Sequence, residues 1–164
     1  MTLYIMFGML ALTSLLVFRR DGIAGVRHGA AVSIAMTRSV LAQVVMGMLL
    51  AGMAQVVLPT EVVSGWMGSE SGIRGVLIGV AVGSVVPAGP FVVLPLMGGL
   101  LAMGAGPGPI AALITAWSVI AVSRTFVFDI PFLGPAFTLS KLLVALLFPF
   151  IAGFITPVIL RLVD

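Results

Sequence analysis

The chain has 164 residues, of which 61% are hydrophobic and 8% are charged, and its formal net charge is +3. Roughly a quarter of the residues of a soluble domain are charged, so this composition excludes an ordinary soluble globule. The basic residues stand at the ends of apolar runs instead of forming the stripe that nucleic-acid binders use, which excludes nucleic acid as a partner. With no cysteine and a single histidine, the sequence also excludes disulfides, thiolate metal sites and multi-histidine metal sites.

The first two apolar runs predict two transmembrane helices joined by a basic loop. The first span covers about 3–18 and stops at the polar run 19–22. It has no basic segment before it and no small-residue cleavage site after it, so we expect a retained span and not a signal peptide. The second helix covers about 30–58 and ends at Pro59, since proline cannot continue a helix. The segment 61–68 is mildly amphipathic and carries a tryptophan, which favours the headgroup level of a bilayer.

The third apolar stretch, about 73–103, cannot form one regular helix. It is interrupted by Val86-Pro87-Ala88-Gly89-Pro90 and contains Pro95 further on. Proline removes a backbone donor and clashes with the preceding turn, so we expect two half-length helices that meet at a non-helical apex. Non-helical backbone at membrane depth persists only where protein or a water-filled cavity shields it.

Two further spans follow. One begins after a run of glycines and prolines and covers about 110–122, or reaches Phe128 if the helix continues. We expect a loop over 129–135 and a last span over about 137–163, bent at Pro149 and, as a second candidate, at Pro157.

Positive charge indicates the orientation of the chain in the membrane, because Lys and Arg favour cytoplasmic loops. The loop with Arg19, Arg20 and Arg27 is expected to be cytoplasmic, which places the N-terminus outside. A re-entrant hairpin at the broken stretch would also place Arg124 and Lys141 inside, whereas a full crossing would place them outside. The placement of positive charge thus favours the re-entrant hairpin. We expect an all-α fold: a polytopic helical bundle of the cell (inner) membrane with four full spans plus a broken or re-entrant pair. Five spans is the alternative.

The strongest candidate for a functional site is the broken segment, because interrupted helices leave backbone groups free to bind a solute. The alternative is a proline kink that only shapes packing. Polar residues inside spans either contact substrate or hydrogen-bond between helices, and deep arginines either line a vestibule or snorkel to the interface. The expected solute pathway comprises Ser84, Pro87, Ala88, Gly89, Pro90, Pro95, Thr115, Trp117 and Ser118, with Arg38 and Arg124 as charge-lining residues.

Residues for enzymatic chemistry are not apparent in the sequence. His28, Glu61, Glu70 and Asp129 lie in predicted loops, where we expect them to be solvated, and no predicted span centre contains an acid. No nucleophile–base pair, phosphate-binding loop or metal cluster appears. We therefore expect no enzyme, no cofactor and no metal, and the lack of embedded acids argues against a simple carboxylate proton antiporter.

Short apolar motifs between residues 38 and 149 provide a family resemblance. They are Pro59-Thr60-Glu61, Trp66-Met67-Gly68, Gly75-Val76-Leu77-Ile78-Gly79, Val86-Pro87, Leu94-Pro95-Leu96, Leu100, Gly104-Ala105 and Ala111-Ala112-Leu113. In this pattern the chain resembles the predicted permease family of the ArsP and YraQ type. In that family a glycine-rich helix follows a helix-ending proline and its loop, and a proline-containing break leads into the next span.

The resemblance implies a permease, with two departures. Many members carry a cysteine pair at the break, associated with trivalent organoarsenicals, but here Pro87-Ala88-Gly89-Pro90 occupies that place and the chain has no cysteine. Thiolate chemistry with arsenic is therefore excluded. Members are also about twice as long and built from two similar halves. The whole chain, 1–164, then corresponds to one half, a single transmembrane domain, and we expect a homodimer in the lipid bilayer.

The expected function is a small homodimeric permease that passes a small solute near 87–90. The substrate, the direction of transport, the coupling ion and a parallel or inverted arrangement of the dimer stay open. The competing expectation is a non-transporting membrane subunit that assembles with another protein, since small-residue faces serve either role.

Overall fold

The computed structural model describes residues 2–163, and within that range the chain is helical with no strand. The helices are α1 (Thr2–Val57), α2 (Thr60–Met67), α3 (Gly72–Val85), α4 (Pro90–Ala102), α5 (Pro107–Val119), α6 (Val122–Arg124), a π-helical turn (Thr125–Asp129), α7 (Ile130–Leu133), α8 (Pro135–Ala145) and α9 (Leu147–Val163). An all-α fold was predicted and is confirmed.

Three apolar helical stretches are long enough to cross a membrane: Leu3–Val57, Pro107–Leu133 and Pro135–Val163. The helices α3 and α4 are apolar but shorter. At 1.5 Å per residue they extend about 20 Å each, which is less than the roughly 30 Å of a bilayer's hydrocarbon core. Length and composition are therefore those of a helical membrane protein.

The chain divides into two compact units, residues 1–43 and 44–164. In the first unit, α1 is interrupted at Gly22, whose backbone angles are φ 65° and ψ −155°. This conformation is accessible almost only to glycine, and it lets the helix fold back on itself. Leu10 and Val17 then share a groove with Gly25 and Ile34, so the first unit is a helical hairpin. The predicted basic loop is wrong in extent, because the chain is helical on both sides of Gly22.

In the second unit, α3 and α5 pack side by side and run in the same direction. Gly79 of α3 lies against the carbonyl oxygen of Pro109, and Gly83, one turn later, lies against that of Leu113. Successive turns of one helix therefore meet successive turns of the other. A stripe of glycines brings the two backbones this close, because any larger side chain would separate them.

The helix α4 runs opposite to α3 and α5, and it packs on α5 and hardly touches α3. We call α3, the break and α4 the hairpin, because the chain reverses its direction between them. The first residues of α4 lie near Trp117, whose indole nitrogen bonds to the carbonyl of Ala88. Its far end leads to Gly106, whose N–H donates to the carbonyl of Met67 at 2.6 Å. The chain therefore enters and leaves the hairpin at one end of the unit, beside α2, which we call the α2 end. The opposite end, at Ala88 and Trp117, is the apex end.

The remaining helices complete the unit around this hairpin. Gly47 in the last part of α1 lies against the backbone of Val92 in α4, with 2.7 Å between the Val92 Cα and the place where a Cβ on Gly47 would be. Gly153 of α9 approaches Val76 of α3 and Ala112 of α5. The core lies where these helices meet, and the largest fully buried side chains are Val76, Val93, Leu113 and Pro149.

One predicted boundary in the last third of the chain is wrong. The segment expected as a loop, 129–135, is helical up to Leu133, and only Gly134, with φ 80°, breaks it. In the last span, regular helical hydrogen bonding lapses at Leu146, between α8 and α9, although Leu146 keeps helical backbone angles of φ −61° and ψ −27°. This is where the predicted bend at Pro149 acts, because the proline has no N–H for the carbonyl of Ala145 and its ring clashes with that carbonyl. Pro157 leaves α9 helical.

Candidate functional site

Residues 86–89 form the first interruption, between α3 and α4. Val86 has ψ 111° and Gly89 has ψ 168°, and each precedes a proline. A proline forces the residue before it out of the helical region, so Pro87 keeps Val86 extended and Pro90 keeps Gly89 extended, and residues 86–89 are not helical. Helix then restarts at Pro90, whose fixed φ suits the first helical position. This break was predicted and is confirmed.

A second interruption lies between α5 and α6, close to residue 122, the first of the two ends predicted for this span. Ala121 has φ 26° and ψ 79°, a conformation that a residue with a Cβ rarely adopts. The break removes the helical N–H partners of the carbonyls before it. The side chains of Arg124 and Thr125 replace them: Arg124 Nη1 donates to the Ser118 carbonyl at 3.3 Å and Thr125 Oγ1 donates to the Ile120 carbonyl at 3.0 Å. Two side chains thus stabilise a strained backbone.

The two interruptions lie against each other. Trp117 Nε1, one turn before the second break, donates to the carbonyl oxygen of Ala88 in the first break at 2.9 Å. A cavity of about 260 Å³, the apex cavity, lies between them, lined by Val86, Pro87, Ala88, Trp117, Ala121, Ser123, Arg124, Val127 and Phe128. The side chains with polar atoms in its lining are the Trp117 indole, the Ser123 hydroxyl and the Arg124 guanidinium.

A second cavity, the lateral cavity, opens beside the first between α5 and α8. It measures about 600 Å³ and is lined by Ser118, Val119, Arg124, Phe137, Ser140, Lys141, Val144, Ala145 and Phe148. Arg124 lines both cavities. Most of the lateral cavity's wall is apolar, and its two cations are Arg124 and Lys141.

Asp129 and Lys141 form an ion pair behind the lateral cavity. Lys141 Nζ lies 2.5 Å from Asp129 Oδ2, and the two side chains are 37% and 12% exposed respectively. The expectation of a solvated loop aspartate is wrong, because Asp129 lies in the π-helical turn and is buried. A buried carboxylate needs a partner of opposite charge to offset the loss of hydration, and Lys141 supplies it. The absence of buried acids therefore no longer argues against proton coupling.

The structure brings some of the predicted pathway residues together and separates others. Pro87, Ala88, Trp117 and Arg124 line the apex cavity, and Ser118 lines the lateral cavity. The hydroxyls of Ser84 and Thr115 donate to carbonyls of their own helices, the usual state of such residues in helices.

The other predicted residues lie outside both cavities. Gly89 and Pro90 are exposed at the apex, and Pro95 is half-buried inside α4, which continues past it. Arg38 belongs to the first unit and is exposed.

Sequence reasoning missed Ala121, Ser123 and Lys141. No proline or glycine marks the break at Ala121, so no local signal was available. The sequence did hold one signal for Lys141. Asp129 stands in a run of phenylalanines and aliphatic residues, and an acid in such surroundings requires a basic partner, which Lys141 could supply.

Comparison of the chain with protein-family models, with curated proteins and with solved structures finds no match. The resemblance to the permease family therefore rests on the apolar motifs alone.

Proposed function

We propose that the protein is a multi-pass permease of the cell (inner) membrane, in which a small solute passes the apex cavity. One observation carries this proposal: two interrupted helices place their breaks side by side, with Trp117 bonded across them to Ala88 at 2.9 Å. Paired interrupted helices are how many transporters expose backbone groups to a solute near the centre of the membrane. A kink that only shaped packing would not need a second break beside it.

The arrangement favours a polar or anionic solute. The N-terminus of α4 begins at Pro90, so its positive dipole end is directed to the apex end. The Arg124 guanidinium lines the same cavity. Arginine carries five N–H donors, of which one contacts the Ser118 carbonyl, so others are free to meet a solute.

We further propose that two copies form the pathway together. Phe91 is 41% exposed beside the first break, and Leu94 is 53% exposed one turn later, so this face of α4 is open to a neighbour. Gly98 continues the same face with no atom within 4 Å of its Cβ position. Small and apolar residues on one helix face favour close helix association in membranes, and the proposed partner is a second copy.

Accessibility to a membrane-impermeant thiol reagent tests the pathway without knowledge of the solute. The chain has no cysteine, so single substitutions Ala88→Cys and Ser123→Cys report on the apex cavity alone. Leu77→Cys on α3, which is 49% exposed on an apolar face, is the matched control in lipid. We expect both cavity cysteines to react from each side of the membrane in turn, and the control to react from neither.

Labelling of Ala88→Cys and Ser123→Cys from only one side, or no labelling at all, would refute a permeation pathway. In that case the competing function, a non-transporting assembly subunit, would be favoured. Oxidative cross-linking of Phe91→Cys in native membranes tests the dimer separately. A dimer band from Phe91→Cys, and none from Leu77→Cys, is the expected result.

A further inference from the structure

We propose that the lateral cavity is a binding site for the phosphodiester headgroup of an anionic membrane lipid, with the acyl chain lying along α8 and α9. This inference goes beyond the transport proposal and does not depend on it. It rests on the polarity of the cavity, on its position along the helices and on its net charge.

The polar and apolar walls of the lateral cavity are separated along the helices. Because α8 runs opposite to α5, Arg124 lies on the same side of the cavity as Ser140 and Lys141, with Phe137 beyond them. Val119 lies on the side of Val144, Ala145 and Phe148. One end of the cavity therefore carries both cations, and the wall nearer the α2 end is apolar apart from Ser118, whose hydroxyl donates to the Thr115 carbonyl. An amphipathic anion matches this gradient and a free inorganic ion does not.

The position of the cationic end along the last helices fits the level of lipid headgroups. Arg161 lines a pocket at the α2 end together with Gly72 and Pro107. Lys141 precedes Arg161 by 20 residues within the helical stretch Pro135–Val163, or about 30 Å along a helix, which is the thickness of a hydrocarbon core. With the α2 end at one membrane surface, Lys141 therefore lies at the level of the headgroups of the opposite leaflet, and the Arg124 side chain lines the same cavity.

The charge at the cavity corresponds to a single phosphodiester. Arg124 and Lys141 contribute two positive charges and Asp129, bonded to Lys141, contributes one negative charge, which leaves one net positive charge. Lys141 has three N–H donors, of which one is used by Asp129. The remaining donors of Lys141 and Arg124 are available to the phosphate oxygens, in charge-assisted hydrogen bonds.

The lateral opening of the cavity favours a lipid over a water-soluble anion. Phe137, Val144 and Phe148 are 58%, 61% and 53% exposed, so the apolar wall faces outward and not into an enclosed pocket. Apolar surface that faces outward in a membrane protein contacts acyl chains. A lipid can slide into such a groove from the bilayer, whereas a hydrated ion would have to cross hydrocarbon to reach it.

Titration of the delipidated protein with short-chain lipids, followed by native mass spectrometry, tests this site. The probes are dioctanoylphosphatidylglycerol, dioctanoylphosphatidylcholine and inorganic phosphate. We expect the wild type to bind the phosphatidylglycerol several-fold more tightly than the phosphatidylcholine. Removal of the charge by Arg124→Gln should weaken phosphatidylglycerol binding about fivefold, the effect of one basic residue near an anionic headgroup. Arg124→Lys should restore most of it.

Two further variants separate the site from general effects. Arg161→Gln removes an exposed arginine at the α2 end and should leave lipid binding unchanged, whereas Val144→Trp fills the groove without a change of charge and should weaken it. Equal binding by wild type, Arg124→Gln and Val144→Trp would overturn the proposal. Full competition by inorganic phosphate at concentrations equal to those of the lipid would also overturn it, in favour of a free-anion site.

Discussion

Replacement of Gly79 by alanine tests the packing that places the two interruptions side by side. A Cβ at this position would overlap the carbonyl oxygen of Pro109 and lie 3.3 Å from the backbone nitrogen of Leu113. Both contacts are with the backbone of α5, so no side chain can rotate away to make room. The helices must separate, and the separation reaches Trp117 because it lies on α5, one turn beyond Leu113.

The expected cost follows from overpacking, which typically destabilises a core by about 1–3 kcal/mol. Gly52→Ala is the matched control, because Gly52 also lies inside a helix of the second unit but has no atom within 4 Å of its Cβ position. Both changes gain the same helix propensity, up to about 1 kcal/mol, so the difference between the variants isolates the clash. For a chain of this size, 2 kcal/mol corresponds to a Tm difference of roughly 4–8 °C.

The intrinsic fluorescence of Trp66 and Trp117 during heating in detergent measures this difference. We expect Gly79→Ala to unfold several degrees below Gly52→Ala, and Gly83→Ala, which meets the Leu113 carbonyl, to behave like Gly79→Ala. Equal melting temperatures for Gly79→Ala and Gly52→Ala would refute the parallel contact of α3 and α5.

Two further predictions use the same thermal assay, and a third uses limited proteolysis. Lys141→Met should lower the free energy of unfolding by about 2 kcal/mol, less than the 3–5 kcal/mol of a fully buried pair, because Lys141 is partly exposed. Addition of Asp129→Asn to this variant should recover most of the loss. If the effects of the two substitutions simply add, the pairing is contradicted. Trp117→Phe removes the donor to the apex carbonyl and should cost about 1–3 kcal/mol. Trp66→Phe should cost less than about 1 kcal/mol, because Trp66 is exposed and its contact with Arg74, 4.5 Å from the ring centroid, is a cation–π interaction at the surface that phenylalanine partly keeps. Gly22→Ala should destabilise the helical hairpin of the first unit by about 1–3 kcal/mol, because residue 22 has a positive φ. The loss should appear as faster proteolysis near residue 22. Proteolysis at the wild-type rate would contradict a turn that requires glycine.

The candidate site could be predicted from sequence only where prolines mark it. Pro87 and Pro90 act on their own neighbours through sterics, so the first interruption is visible in the sequence. The break at Ala121 depends instead on side chains that reach back to carbonyls several residues earlier. Asp129 and Lys141 were separately visible, but their pairing across 12 residues depends on the turn at Gly134.

The sequence by itself determined the class of protein and most of its helices. Its scarcity of charge and the length of its apolar runs require a membrane. Pro59 and Pro87 end helices, and Pro90 begins one, wherever the chain lies. Each proline acts only on the few residues around it, so its effect does not depend on the tertiary structure.

Only the tertiary structure decided that α3 and α5 run in parallel, that a second break lies against the first and that Arg124 lines two cavities. In a chain this apolar, most helix faces carry similar residues, so hydrophobic pattern does not select neighbours. Close contact between glycines and backbone atoms, and a few polar bonds such as that of Trp117 to Ala88, make the selection instead.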